Sequence, residues 1–483
     1  MLRDSYATWR CGGHELSLVR PRIMGVLNLT HDSFSDGGAF EGKDGRLVHE
    51  KAIERGLAML DEGADIIDVG GASTRPGHTP IPWEQELDHI APVVEALVEH
   101  NAIVSVDTQS PEVASYCLEL GAHIINDVSG FTDPRMVECV AESDCGVVIM
   151  HWNQKTGISS RRSVQLYANH PARRTVPSAR RFTLPDEAPL MREVMGFLGD
   201  QARMLMRTGV AHDRICVDPG PGFAKGTDED VIIQRNVRLL QSMGYPVLTA
   251  VSRKRFVGAV SGAREPLARE AATIGMCLSA IEHGSRILRV HNVKAVFQAV
   301  CAWWATSVAD PRQAFVAMGS NVDDPMSYLA RAARLMDKLP LTCVTAVSNA
   351  YETAPALGLE TPVINAVAEL HTELHPLVLL GMLLDIENQL GRTRDPSSDV
   401  PGPRTIDLDL AWYEGERHAG NRLTLPHPGL GLRDFVLVPM EDLMPDPARF
   451  LTHEGVKVLA VEERIGQVMA DLGAVSWEAE RDG

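Results

Sequence analysis

Between residues 23 and 291 the chain repeats one pattern eight times: a short apolar run that stops at a polar residue or glycine, followed by a stretch with helical periodicity. Ile23 to Leu27 stops at Asn28, Ile66 to Val69 at the segment GGASTRPG, Ile103 to Val106 at Asp107, and Ile124 to Ile125 at Asn126. Val147 to Met150 then stops at His151, Ile215 to Val217 at Asp218, Val247 to Val251 at Ser252, and Ile287 to Val290, which encloses Arg289, at His291. Eight strand and helix alternations over this length predict a (β/α)8 TIM barrel. Ahead of them, Ala7 to Val19, with Gly12 and Gly13 at its centre, reads as a hairpin that closes the lower end of the barrel.

Such barrels build their sites at the carboxyl ends of the strands, where loops converge. Nearly every strand end here carries Asn, Asp, Ser, Thr, Arg, Lys or His. Taken singly, each is more simply a turn or helix-cap residue; eight together favour a site. The last two strands end in SRKR (Ser252 to Arg255) and RVHN (Arg289 to Asn292), the region where this architecture most often binds phosphate. Arg289 and His291 are two apart and share a face of an extended chain, so both can grip one anion. GGASTRPG adds glycines for close backbone approach, two hydroxyls and Arg75. Asp107, Asn126, Asp218 and Lys254 form a set of donors and acceptors suited to the edge of a flat heterocycle.

At 483 residues the chain is long for one domain. Lys plus Arg number 46 against 64 Asp plus Glu, a formal net charge of -18, which argues against a nucleic-acid or anionic-membrane surface and makes any phosphate binding local. The eight cysteines show neither a C-x-x-C pair nor a secreted framework, consistent with reduced thiols. No segment offers the apolar span of a membrane helix or a targeting signal, so a soluble cytoplasmic protein is expected. Residues 152–190 form a long insertion with paired arginines at 161 and 162, 173 and 174, and 180 and 181. A solvated insertion explains it better than a lid over phosphorylated substrate.

From Met24 to Val293 the chain resembles dihydropteroate synthase, through MGVLNLTHDSFSDGG, GGASTRPG, SVDTQSPEVA, INDVSG, VDPGPGFAK, SRK and RVH in the family's order. The resemblance implies that a pterin methyl diphosphate loses diphosphate and that the amino group of para-aminobenzoate captures the methylene. It further implies that Asp107, Asn126, Met150, Asp218 and Lys254 hold the pterin, with Asp107, Lys254 and Arg289 catalytic. Asn28 would help bind Mg2+; Asn28, Thr74, Arg75, Arg289 and His291 would hold the diphosphate; Arg75, Pro76, Phe223 and Ser252 would surround the aminobenzoate. His31 stands where the family has proline, and Asn292 departs from its RVHD pattern.

A polar break at ADPRQ puts a domain boundary near Asp310, giving domains 1–309 and 310–483. The second alternates strands and helices without a second barrel and reads as an α+β domain: strands at Phe315 to Met318, Val347 to Tyr351, Ile364 to Leu370 and Ile406 to Trp412, with helices at Met326 to Lys338 and Leu377 to Leu390. In TIDLDL, Asp407 and Asp409 point one way from a strand, with Arg392, Arg394 and Arg404 near in sequence. Two carboxylates among arginines suit Mg2+ bridging a polyphosphate, and no P-loop motif is present.

Phe315 to Pro439 resembles 6-hydroxymethyl-7,8-dihydropterin pyrophosphokinase through FVAMGSN, YETAPALG, ENQLGR, GPRTIDLDL, LPHP and LRDFVLVP. The resemblance implies a ferredoxin-like fold and diphosphoryl transfer from ATP to the pterin hydroxymethyl. Asp407 and Asp409 would bind Mg2+, and Glu387, Arg392, Arg404, His427 and Arg433 would contact ATP, with Arg392 and Arg404 also catalytic. Asn365 and Phe435 would hold the pterin. Val363, Val400 and Pro401 stand where some members carry aromatics. The small domain's product would be the barrel's substrate. Two alternatives stay open: a pterin-binding methyltransferase module in the barrel, and one degenerate domain serving as a binding or dimerisation scaffold. The barrel's resemblance also suggests a homodimer.

Overall fold

The computed structural model describes residues 8–30, 40, 47–73, 80–152, 189–307, 310–357, 359, 361–392 and 404–477. The chain divides into two compact units, the first holding Met1–Val300 and Ala419–Asn421 and the second Cys301–His418 and Arg422–Gly483.

The first unit is a barrel of eight parallel strands: β3 (Arg22–Asn28), β4 (Ile66–Gly70), β5 (Val104–Asp107), β6 (Ile124–Asp127), β7 (Gly146–Met150), β8 (Ile215–Asp218), β9 (Leu248–Thr249) and β10 (Ile287–Val290). They pair in the order β8-β7-β6-β5-β4-β3-β10-β9. The ring closes between β8 and β9, where Val217 bridges Val247 and its N–H donates to Pro246 O at 2.9 Å. Side chains of β4 to β8 are buried throughout, as expected where helices cover one face and the interior the other. Local chemistry starts the helices sharply: Ser110 and Asp133 accept backbone N–H bonds from Val113 and Arg135, and proline takes the first turn of each helix.

The expected hairpin is present as β1 (Thr8–Cys11) and β2 (His14–Ser17). Trp9, Cys11, Leu16 and Leu18 enter one core cluster with Met24, Ile66, Ile124, Val148, Cys216 and Ile287, so the hairpin plugs the end opposite the site. The Trp9 indole donates to Arg214 O at 2.9 Å. At that end Asp65 accepts from Arg20 at 2.8 Å, Arg22 at 2.9 Å and the Ile23 N–H at 2.8 Å, a buried charge satisfied from three sides.

The second unit is α+β and ferredoxin-like. Its antiparallel sheet contains β11 (Arg312–Ser320), β12 (Thr342–Val347), β13 (Asn349–Thr353), β14 (Val363–Thr372), β15 (Asp407–Tyr413) and, after the short pair β16 (His418–Ala419) and β17 (Thr424–Leu425), β18 (Val468–Ala474). The order is β15-β11-β14-β13-β18, with β12 also on β14. Phe315, Val367 and Trp412 pack on one face against Val436, Leu437, Met440 and Leu451 of two helices, Asp434–Glu441 and Pro447–His453. Ala314, Val316 and Met318 alternate to the other face.

The single strand expected at Val347 to Tyr351 is two strands. Ser348, buried between them, donates its N–H to Val367 O and accepts the Val367 N–H on its hydroxyl, both at 2.9 Å, while the β12 register shifts. Strand β18 lies beyond any element expected from sequence. Among the described residues no helix is long and apolar enough to cross a membrane.

Candidate active sites

At the carboxyl ends of the barrel strands, Asn28, Asp107, Asn126, Met150, Asp218, Ser252, Lys254, Arg289 and His291 come from seven different strands or the residues just after them. Their centre is an ion network. Arg289 Nε donates to Asp68 Oδ2 at 2.6 Å and Nη2 to Asp107 Oδ2 at 2.7 Å. Asn126 Nδ2 stands 3.4 Å from both Asp68 oxygens. Asp68 is therefore a member of the site that sequence reasoning missed; its signal was an acid within the apolar run IIDVG. Of the two residues expected to grip one anion, Arg289 faces carboxylates and the His291 ring lies 2.9 Å from Ser252 Oγ.

Burial pushes the Asp107 carboxyl up to about 7 against the pull of Arg289, and its Oδ1 has no hydrogen-bond partner among the described residues. A buried acceptor left open in this way suits a ligand donor. Asp218 is also raised by burial, opposed by Lys254. Burial brings Lys254 down to about 8, opposed by Asp218. Lys254 Nζ reaches Pro221 O at 2.5 Å and lies 4.8 Å from the Phe223 ring centre, so the expected pterin and aminobenzoate residues adjoin. Asn292 caps the helix Val293–Thr306, its Oδ1 accepting from Ala295 N at 3.1 Å, so the departure there serves local structure. Thr74, Arg75, Pro76, His31 and most of the basic insertion lie outside the described residues.

In the second unit, β11 pairs with both β14 and β15, aligning Gly319 with Asn365 on one side and Asp407 on the other. A Cβ on Gly319 would stand 2.9 Å from Asn365 Oδ1, so glycine leaves room beside that amide. Asn365 Nδ2 donates to Thr353 Oγ1 at 2.7 Å, which orients it. Arg392 pairs with both Glu387 and Asp407, and Arg404 pairs with Asp407. Arg433 Nη1 lies 3.8 Å from Asp409 Oδ2. Burial and then the neighbouring Asp407 push the Asp409 carboxyl up to about 6. Burial and Arg433 bring His427 down to about 4, and its Nδ1 accepts from Gly429 N at 3.0 Å. The Arg433 guanidinium carbon is 5.4 Å from the Phe435 ring centre. Arg394, Val400 and Pro401 lie outside the described residues.

Two adjacent carboxylates, one compensated by two arginines and the other held only loosely, suit a divalent cation and a polyphosphate. In the barrel Asn28 offers a single neutral oxygen, and among the described residues no cluster of three or more His, Cys, Asp or Glu is arranged to hold a metal.

The family model of pterin binding enzymes matches residues 24–291, and that of 7,8-dihydro-6-hydroxymethylpterin-pyrophosphokinase matches residues 315–445. Dihydropteroate synthase of Staphylococcus haemolyticus is 38% identical over 278 residues, 57% of this chain and 91% of the relative. That of Neisseria meningitidis serogroup C is 32% identical over 303 residues, 62% of this chain and 98% of the relative. Among solved structures, Xanthomonas albilineans dihydropteroate synthase with 4-aminobenzoic acid aligns with a TM-score of 0.53 at 34% identity, covering 63% of this chain and 99% of that one. Motifs, barrel and comparisons agree: the chain belongs to the pterin binding enzymes as a dihydropteroate synthase, and it carries a C-terminal hydroxymethyldihydropterin pyrophosphokinase domain.

Proposed function

We propose that this chain catalyses two consecutive steps of folate synthesis: transfer of diphosphate from ATP to 6-hydroxymethyl-7,8-dihydropterin, then condensation of that product with para-aminobenzoate to give 7,8-dihydropteroate and diphosphate. The observation that carries this reading is that one chain assembles both a polar barrel mouth around Arg289 and a carboxylate pair flanked by arginines on β15. Residues 1–309 are assigned to the synthase and 310–483 to the kinase.

In the kinase domain Asp407 and Asp409 would hold Mg2+, which supplies charge compensation for the polyphosphate. Arg392, Arg404, Arg433 and His427 are placed to orient ATP phosphates, and Glu387 orients the site through the Leu408 N–H at 2.8 Å and its pair with Arg392. Asn365 offers an amide edge to the pterin, and Phe435 a ring to stack on it. In the barrel, Asp107, Asn126, Asp218 and Lys254 are suited to the pterin edge. As the bond to diphosphate breaks, positive charge spreads into the pterin and the Asp107 carboxylate favours it. Arg289, His291, Asn28, Thr74 and Arg75 would take the leaving oxygens. Arg75, Pro76, Phe223 and Ser252 would lie around the aminobenzoate, as their motif positions imply. A homodimer through the barrel and a cytoplasmic location belong to the same proposal.

Mixing the chain with hydroxymethyldihydropterin, ATP, Mg2+ and para-aminobenzoate should yield dihydropteroate, AMP and diphosphate. A need for supplied pterin diphosphate would overturn the kinase assignment. Absence of dihydropteroate even with that supplement would overturn the synthase assignment.

A further inference from the structure

The loop after β8 ends in Lys225, the last residue of VDPGPGFAK, to which no role in binding substrate is assigned. Lys225 Nζ donates to three backbone carbonyls: Gly220 O at 2.8 Å, His151 O at 2.9 Å and Phe223 O at 3.1 Å. An ammonium has three donors, so all are committed to the protein and none is left for a ligand. Burial brings Lys225 down to about 8, opposed by Asp230 and Asp218.

The loop it holds is unusual in its backbone. Gly220, Gly222 and Ala224 take φ of 64°, 83° and 51°, so every second residue is left-handed, and at Ala224 that conformation costs energy. Within this winding the carbonyls of Gly220 and Phe223 both face Lys225 Nζ. A Cβ on Gly220 would lie 2.2 Å from His151 O, which requires glycine where the two strand ends meet.

We infer that Lys225 is a positioning residue for the second substrate of the synthase reaction: it clamps the loop 218–225 onto His151 and thereby fixes the Phe223 ring against which the aminobenzoate packs. Asp218 depends on it less. That residue is anchored by strand pairing with Met150, and its Oδ1 accepts Gly220 N at 2.7 Å. The Phe223 backbone is held by a turn bond, its N–H to Gly220 O at 3.2 Å, and by the clamp, while its ring meets Trp152 at 5.6 Å and Lys254 Nζ at 4.8 Å. Lys254, which reaches Pro221 O from the loop after β9, is assigned to the pterin, and Asp230 ties the loop's middle through the Gly222 N–H at 2.7 Å, so the end of the loop that carries Phe223 is held by Lys225.

This inference rests on the synthase reading, and its test is distinguishable from that of the reading because the wild-type chain is assayed first, with supplied pterin diphosphate. Given wild-type activity, Lys225→Met should raise KM for para-aminobenzoate about tenfold or more, a displacement-type effect short of the roughly hundredfold that a 1 Å misplacement can produce. KM for pterin diphosphate should stay within about twofold. Lys225→Arg keeps the charge and should show the same split in smaller measure, which serves if the Met variant does not fold. Equal rises in both KM values, or no change in either, would overturn the inference.

Discussion

Asp107 is held between two opposing influences. Burial pushes its carboxyl up to about 7 from the ordinary 3.8, while Arg289 at 2.7 Å pulls the other way. Across roughly pH 4 to 7 the folded state therefore binds its proton more tightly than the unfolded chain, and the residue's contribution to stability falls as pH rises through that window. Asp107→Asn removes the charge. Its stability relative to wild type should improve by more than about 1 kcal/mol between pH 5 and pH 8, measured by thermal unfolding at unit pH steps, although synthase activity is lost. A difference independent of pH would mean that Asp107 is ionised throughout. In the proposed mechanism this charge stands beside the pterin, so the site would sacrifice stability for catalysis.

Two elements carry most of the architecture's special demands. The β1–β2 hairpin seals the barrel with a fully buried tryptophan, and Trp9→Ala should destabilise the first unit by about 3 to 5 kcal/mol, read from its unfolding transition. A loss within about 0.5 kcal/mol would show that the hairpin is dispensable packing. Strand β15 performs a different task, setting two carboxylates two residues apart so that both project from one face. Asp407→Asn combined with Asp409→Asn should lower AMP release by at least about 10²-fold, the loss expected when charge stabilisation of a transferring phosphoryl group is removed. Dihydropteroate formation from supplied pterin diphosphate should be unchanged.

The complementary experiment belongs to the whole chain. Lys254→Ala with Arg289→Ala should abolish dihydropteroate formation and leave AMP release intact, so that mixing the two double variants restores the coupled reaction through diffusing intermediate. Failure of the mixture, with each remaining activity normal, would show that the two steps must occur within one molecule. Linking two sites on one chain raises their mutual concentration without any new contact.

Asp107, Asn126, Asp218, Lys254, Asp407 and Asp409 were readable as candidates because strand period, strand-ending polar residues and motif spacing are local properties of sequence. The barrel was legible for the same reason: each buried strand announces itself as an apolar run. Partnership was not legible. Arg289 meets Asp68 and Asp107 across 221 and 182 residues of chain, and Lys225 meets His151 across 74. The break between β12 and β13 at Ser348 and the addition of β18 depend likewise on which strand lies alongside. Sequence by itself determined which residue types stand at which strand ends, since that follows from periodicity and side-chain chemistry. Only tertiary structure decided which buried charges neutralise one another, because in a low-dielectric interior that depends on distances set by closure of the whole barrel.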